Sequence, residues 1–530
     1  MKHRSLTSLF AILLLTTVVK AQVPGSAIDV QHYTYQLQLS DANDEIKGDA
    51  AISIKFLKAV SSFKLDLVKQ NAGKGMLVSS VKEDGKEVKF SQENESLIID
   101  GAAKAASIHT INISYSGIPA DGLIISANKF GHRTFFGDNW PNRAHNWLPC
   151  VDDPADKASL EFIITAPAHY QVVANGIKID EKAIGNDLKT THFKETAQLA
   201  SKIFVIGVAD FAIDNPGTPD GIPVYTYVFP ENKEVGFKSY SVAKEILPFY
   251  ISKFGPYAYK KLANVQSKTR YGGLENASAI FYFENSVGDK GIEELMAHEI
   301  AHQWFGDAAG EDNFCDLWLS EGFATYMTNY YLENKYGPDT LKKRMRKDRV
   351  TVLNFERRSK TPVVDTTKKN NLMALLNANS YQKGGWVLHM LRNKIGDNNF
   401  WKGIRAYYAK YNGGNAGTDD FRRVMEQASG DDLKPFFKQW LFTPGTPNLD
   451  IQWVVGEDGN SGNLTITQQQ ATPFVFNIDL VINGQQRSVP VSEKVTKIKT
   501  GKPGSLSVDP DVKLLGSFAV TGPPGFTYPR

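Results

Sequence analysis

The apolar residues of this chain change their period twice. From Val30 to about Ile213 they recur at every second position: Tyr33, Tyr35, Leu37 and Leu39, then Ile52, Ile54 and Phe56, Phe63, Leu65 and Leu67, and Ile111, Ile113 and Tyr115. A strand turns successive side chains to opposite faces, so this period predicts antiparallel β-structure with one buried face. Asn215-Pro216-Gly217 and Pro219-Asp220-Gly221 cluster turn formers and mark a joint. Beyond Pro230 the spacing turns helical, over Ser239 to Phe254, Ile292 to Phe305, Glu321 to Tyr336, Tyr381 to Lys394 and Asn398 to Tyr411. After Pro444-Gly445-Thr446-Pro447 period two returns, at Leu464 and Ile466 and from Phe474 to Ile482, up to the hairpin pair Asn483-Gly484. A chain of 530 residues exceeds a single core. The expected division is a leader over residues 1–21, a β domain over 22–213, a mainly helical domain over 214–444 and a small β sandwich over 445–530.

The leader carries Lys2, His3 and Arg4, an apolar stretch from Leu9 to Val19, and the small-residue end Val19-Lys20-Ala21. That is the pattern of an export signal, which predicts a periplasmic or secreted protein. The apolar stretch is shorter than the roughly 20 residues that span a bilayer, so no stable membrane anchor is expected in the mature chain. A formal charge of +3 gives no electrostatic reason to expect nucleic acid as a partner. The basic run Leu341 to Val350 is expected to form a solvated helix face. Two cysteines, Cys150 and Cys315, make no disulfide scaffold; two buried free thiols are expected, with a single bridge between them as the alternative.

Within the helical run that ends at Gly306 lies His298-Glu299-Ile300-Ala301-His302. Four residues at 3.6 per turn set both imidazoles on one face, where one ion of tetrahedral preference can take a nitrogen from each. Glu299 stands about 100° further round the helix and can reach water activated by the ion without being a ligand. Eighteen residues after His302 comes Glu321, in Trp318-Leu319-Ser320-Glu321-Gly322-Phe323-Ala324-Thr325-Tyr326. Its carboxylate would complete a site of His298, His302 and Glu321 for one zinc ion and leave the fourth position to solvent, which marks a catalytic metal. The plainer alternative, a favourable place on the helix dipole, is worth under about 1 kcal/mol. Zinc lowers the pKa of a water bound to it to about 7, so Glu299 would serve as general base and then acid. The oxyanion needs a further donor, for which a phenol is suited, but spacing alone does not choose among 21 tyrosines.

With these residues the chain resembles the gluzincin aminopeptidases, the family of aminopeptidase N and leukotriene hydrolase. The zinc motif and its spacing match, and Tyr271-Gly272-Gly273-Leu274-Glu275-Asn276 looks like the family's GAMEN signature, read here as GGLEN. Ser380-Tyr381-Gln382-Lys383-Gly384-Gly385 looks like its Y-x-K-G segment. Phe254-Gly255-Pro256-Tyr257 and Leu148-Pro149-Cys150-Val151-Asp152-Asp153-Pro154 extend the likeness, which covers about residues 30–445. The resemblance implies an aminopeptidase acting on peptides with a free N-terminus. Glu275 would bind the α-amino group, Gly272 and Gly273 would pair with the peptide through their backbone, Asn276 would join them in binding substrate, and Tyr381 would donate to the oxyanion. It also implies a saddle-like β domain, a thermolysin-like catalytic domain and a β sandwich, in that order.

Two departures from the family stand out. Counted back from Cys150, the positions where many relatives carry Gln and Glu fall on Asp138 and Trp140. Asp138 is then the expected replacement carboxylate for the substrate amine, and Trp140 is expected to narrow or flatten the first side-chain pocket. Relatives usually continue into a large helical domain that roofs the site. Without one, a more open site, or one roofed by a partner subunit, is expected. Asp316 is read either as orienting a ligand from behind or as a solvated loop residue. Endopeptidase cleavage or epoxide hydrolysis would keep the metal and change the reaction, and Glu275 argues against the former. A binding module without catalysis is the third alternative, against which Glu299 stands. The oligomeric state and the preferred first residue stay open.

Overall fold

The computed structural model describes residue 23 and residues 25–528; the export signal expected at residues 1–21 lies outside them. The N-terminal part is built on an eight-stranded sheet, joined by a three-stranded and a four-stranded one. Every period-two stretch named above contributes a strand, and Tyr33, Tyr35, Leu37, Ile52, Ile54, Phe56, Ile111 and Ile113 all turn into the core. The sheet is not antiparallel throughout: Ile28–Gln38 pairs antiparallel with Ile46–Phe56 but parallel with Lys157–Pro167. Alternation reports which face is buried and carries no information about strand direction, so period two could not reveal this.

The change of sheet falls between Ile206–Ala209, the last strand of the four-stranded sheet, and Ala212–Gly217, the first of a five-stranded one. That second sheet contains Val224–Val228, Leu262–Ser267 and Ala279–Phe283 in parallel, with the short strand Gly273–Leu274 antiparallel at its edge. Leu262–Ser267 is buried at all its positions and therefore shows no alternation, which is why a period-two reading passes over it.

Among the described residues nine α-helices follow or interleave: α1 Lys233–Tyr240, α2 Ala243–Phe254, α3 Ile292–His302, α4 Trp318–Tyr336, α5 Pro338–Glu356, α6 Gly384–Ile395, α7 Asp397–Tyr411, α8 Thr418–Ser429 and α9 Lys434–Leu441. The predicted helix over Ser239 to Phe254 is two helices, and α3 stops three residues before Phe305 because Ala309 donates back to the Trp304 carbonyl and Gly306 to that of Ala309. Gly306, at φ 121°, makes the turn.

The C-terminal part holds a four-stranded and a three-stranded sheet. Leu449, Ile451, Trp453, Leu464 and Ile466 from the first, and Ile478, Leu480, Ile482 and Val491 from the second, are buried. Asn483 (φ 49°) and Gly484 (φ 80°) close the hairpin between Phe476–Ile482 and Gln485–Val491, both left-handed as a two-residue loop demands.

Charged side chains tie the parts together. Lys157, from the N-terminal sheet, is buried and donates to the carbonyls of Asp307 (2.8 Å), Ala308 (3.2 Å) and Gly414 (2.8 Å). Lys202 pairs with Glu311 beside it. The basic run on α5 is not a purely solvated face: Arg344 pairs with Glu294 of α3, while Lys342 and Arg349 reach Asp511 and Asp509 of the C-terminal part. Both cysteines are free; Cys150 is buried, but Cys315 is only half-buried because it lies in a short helical turn at the domain surface. No helix among the described residues is long and apolar enough to cross a membrane.

Candidate metal centre and adjoining cavity

Helices α3 and α4 bring three ligand atoms into a near-equilateral triangle. His298 Nε2 and His302 Nε2 each lie 3.3 Å from Glu321 Oε2, and 3.2 Å from each other. Ligands at 2.0–2.2 Å from a tetrahedral ion are separated by about 3.3 Å, so the three atoms outline one face of such a coordination sphere. The proton accounting agrees. His302 Nδ1 faces the carbonyl of Phe305 at 3.2 Å, which can only accept, so this nitrogen carries the hydrogen and Nε2 turns its lone pair to the triangle. Ser320 Oγ stands 3.0 Å from the same Nδ1. Lone pairs and a carboxylate oxygen converging in a buried place repel unless a cation lies between them, so the residues fit zinc. It is the one cluster of this kind among the described residues.

Glycines set these distances. A Cβ on Gly306 would lie 2.2 Å from Ser320 Oγ, and one on Gly322 would lie 2.8 Å from the Cα of Gly384. Backbone therefore meets backbone immediately beside Glu321, which sits within the first turn of α4. Against the penalty of burial, His302 and His298 hold the Glu321 carboxyl far below the usual carboxylate range.

A cavity of about 270 Å³ opens on the triangle, and its walls bring together Glu299, Tyr381, Gly272, Gly273, Glu275 and Trp140. Glu299 is buried on α3; burial pushes its carboxyl well up, His302 opposes this, and Glu275 and Glu321 add to it. Tyr381 lies nearly parallel to the His298 ring, with centroids 6.1 Å apart and planes at 12°. Burial, and then the Glu321 carboxylate, push its hydroxyl well above the ordinary phenol value, so it remains a donor at neutral pH. It sits in a π-turn, Asn379–Lys383, ahead of α6 rather than at an ordinary helix start.

Glu275 is buried, lines the cavity, and its carboxylate accepts no hydrogen bond within the described residues. Its backbone carbonyl is held by Gln303 Nε2 at 2.6 Å; the same nitrogen donates to Asp307 Oδ2 at 2.8 Å, and Gln303 Oε1 accepts from Ser278 N at 2.8 Å. Gln303, the neighbour of His302, thus joins the end of α3 to the amine-binding candidate. Sequence reasoning missed it, since a buried amide leaves no motif; its only signal was adjacency to a ligand.

Three expected residues are placed elsewhere. Asn276 is fully buried beside the cavity and does not line it. Asp138 is also fully buried, accepting from Arg143, from Thr269 Oγ1 at 3.1 Å and from Arg270 N at 3.1 Å. Its oxygens are engaged in anchoring the segment ahead of Gly272, so the structure does not bring it to Glu275; Trp140 is the residue from that stretch that reaches the cavity. Asp316 touches none of the three ligands and is not solvated: it accepts from Thr418 Oγ1 at 2.5 Å and Asn313 Nδ2 at 2.7 Å, and burial pushes its carboxyl up to about 6.

This fold and site define a class in which two imidazoles of one helix and a carboxylate of the next hold a metal at the mouth of a cavity. Residues 29–202 match the peptidase M1 N-terminal domain and residues 238–440 the peptidase family M1 domain; the chain belongs to peptidase family M1. It is similar to the leucyl aminopeptidase of Saccharolobus solfataricus, 24% identical over 514 residues, covering 92% of this chain and 62% of that protein. It is similar also to human glutamyl aminopeptidase, 27% identical over 332 residues, covering 60% of this chain and 35% of that one. The chain therefore spans less than two thirds of the length of these curated relatives. Among solved structures, an M1 zinc metallopeptidase from Deinococcus radiodurans shares the fold with a TM-score of 0.68 at 23% identity, over 79% of this chain and 95% of that one.

Proposed function

We propose that this chain is a zinc-dependent aminopeptidase that hydrolyses the first residue from peptides. His298, His302 and Glu321 hold the ion, which when bound acidifies water and polarises the scissile carbonyl. Glu299 accepts the proton of the attacking water as the C–O bond forms, then delivers it to the departing amine as the C–N bond breaks. Tyr381 donates its hydroxyl proton in a hydrogen bond to the oxygen that becomes negative. Gly272 and Gly273 present backbone along the cavity for the peptide.

The observation that carries the exopeptidase reading is Glu275. Its carboxylate faces the cavity and accepts no hydrogen bond among the described residues, so its oxygens are free to accept from a substrate ammonium. The test is turnover of an aminoacyl amide against its N-acetylated form, with zinc and with chelator. The free amine alone should be cleaved, and only with zinc; equal rates on both substrates overturn the reading.

The same reading takes the three parts as a saddle-like domain over residues 22–213, a thermolysin-like catalytic domain over 214–444 and a β sandwich over 445–530. The leader over residues 1–21 supports export to the periplasm or the medium.

A further inference from the structure

Tyr381 lies on a single π-turn, and a π-turn, uncommon as a backbone form, needs anchors outside itself. Three are present. Ser380 Oγ donates to the carbonyl of Leu375 at 2.6 Å, and Asn379 Nδ2 to the carbonyl of Thr361 at 2.9 Å. The third is Lys383, fully buried, whose Nζ donates to Glu356 Oε1 at 3.0 Å and to the carbonyl of Gly445 at 2.8 Å. Glu356, the last residue of α5, accepts on its other oxygen from Thr446 Oγ1 at 2.8 Å. Gly445 and Thr446 form the connection into the C-terminal sheets, whose first strand begins at Asn448. Gly384, immediately after the turn, meets Gly322 beside Glu321, as does the Ser380 carbonyl.

A buried ion pair is a poor stabiliser, because desolvation of the two charges can exceed their attraction, and an apolar pair of the same volume would hold the elements together as well. Lys383 does not line the cavity and takes no part in the proton transfers. What it supplies is direction: one ammonium ties the π-turn to the end of α5 and to the domain connection at once. With the Ser380 carbonyl and Gly384 both pressed against Gly322 of α4, the turn is held near Glu321, and Lys383 holds it a second time; Tyr381 lies between Ser380 and Lys383.

We infer that Lys383 is a positioning residue for the oxyanion donor, holding Tyr381 over the metal triangle and coupling its place to the Gly445–Thr446 connection. The inference rests on the role given to Tyr381 above. It is tested by a double-mutant cycle on the full zinc-loaded chain, with K383M, Y381F and the double variant assayed on an aminoacyl amide. In K383M zinc stoichiometry and KM stay near wild type while kcat falls at least about tenfold, since an ångström of misplacement can cost a hundredfold. In the Y381F background the same change costs almost nothing, because the group it positions is gone. An unchanged kcat in K383M, or an equal fold-loss in both backgrounds, overturns the inference alone. Full kcat in Y381F removes the role of Tyr381 and the inference with it. Should K383M not fold, T446V carries the same cycle, with about a threefold loss expected in the wild-type background and none with Y381F; equal effects in the two backgrounds overturn the coupling.

Discussion

Gly273 and Glu299 touch across the cavity: a Cβ built on Gly273 would stand 2.3 Å from Oε1 and 2.4 Å from Cδ of Glu299. The GAMEN signature that this segment resembles carries alanine at that position, so here the carboxylate of the proposed base occupies the room of the absent methyl group.

Restoring that methyl displaces the base. Gly273→Ala should keep zinc and lower kcat by about tenfold to a hundredfold, because a base shifted by an ångström loses its line to the attacking water. Metal analysis beside steady-state kinetics checks it; full activity would mean that Glu299 relocates freely.

Removing the base outright separates metal binding from turnover. Glu299→Gln should retain zinc and lose about 10²–10⁴ in kcat, the usual contribution of a general base. Glu321→Ala should lose both zinc and turnover, since it deletes a corner of the triangle. Zinc still bound at one per chain in the Ala variant would show that another group is the third ligand.

The cavity wall predicts a bias in the first residue. It presents Glu275, Glu299 and Glu321 beside Trp140, Leu295 and Leu376, and no Lys or Arg. With zinc on Glu321 and the substrate ammonium on Glu275, no Lys or Arg of the wall is left to pair an acidic first side chain beside Glu299, so leucyl amides should exceed glutamyl amides by at least about tenfold in kcat/KM. A panel of aminoacyl fluorogenic amides measures this.

The clamp between α5 and the C-terminal part predicts a stability effect away from the site. Asp509 is buried, is paired with Arg349, and has its carboxyl raised by burial while Arg349 opposes the shift. Arg349→Met leaves that carboxylate unpaired and should cost about 3–5 kcal/mol in denaturant unfolding at neutral pH. A carboxyl whose folded pKa lies above its unfolded one binds more protons when folded, so stability falls as pH rises through this window. The deficit of the variant should therefore shrink as pH is lowered from 7 towards 5.

Much of the site was legible because its chemistry is local. His298 and His302 are one helical turn apart, so their shared face follows from 3.6 residues per turn, and period two marked the buried faces of the outer β-structure. The five-stranded sheet beneath α3 was not legible, since Leu262–Ser267 is buried on both faces and loses its alternation. The start of α6 was read as plain helix because a π-turn has no distinct apolar period.

The order of residues alone determined the succession of β, helical and β parts, the pairing of two imidazoles on one face, and the offset of Glu299 from them. Only tertiary structure decided that Glu321 Oε2 comes to 3.3 Å from both rings, that Trp140 and not Asp138 faces the cavity, and that Gln303 links α3 to Glu275. Periodicity is set by backbone geometry within one element, whereas these contacts join residues far apart in the chain, and which of them meet depends on the packing of whole elements, down to the absent methyl groups of Gly273, Gly322 and Gly384.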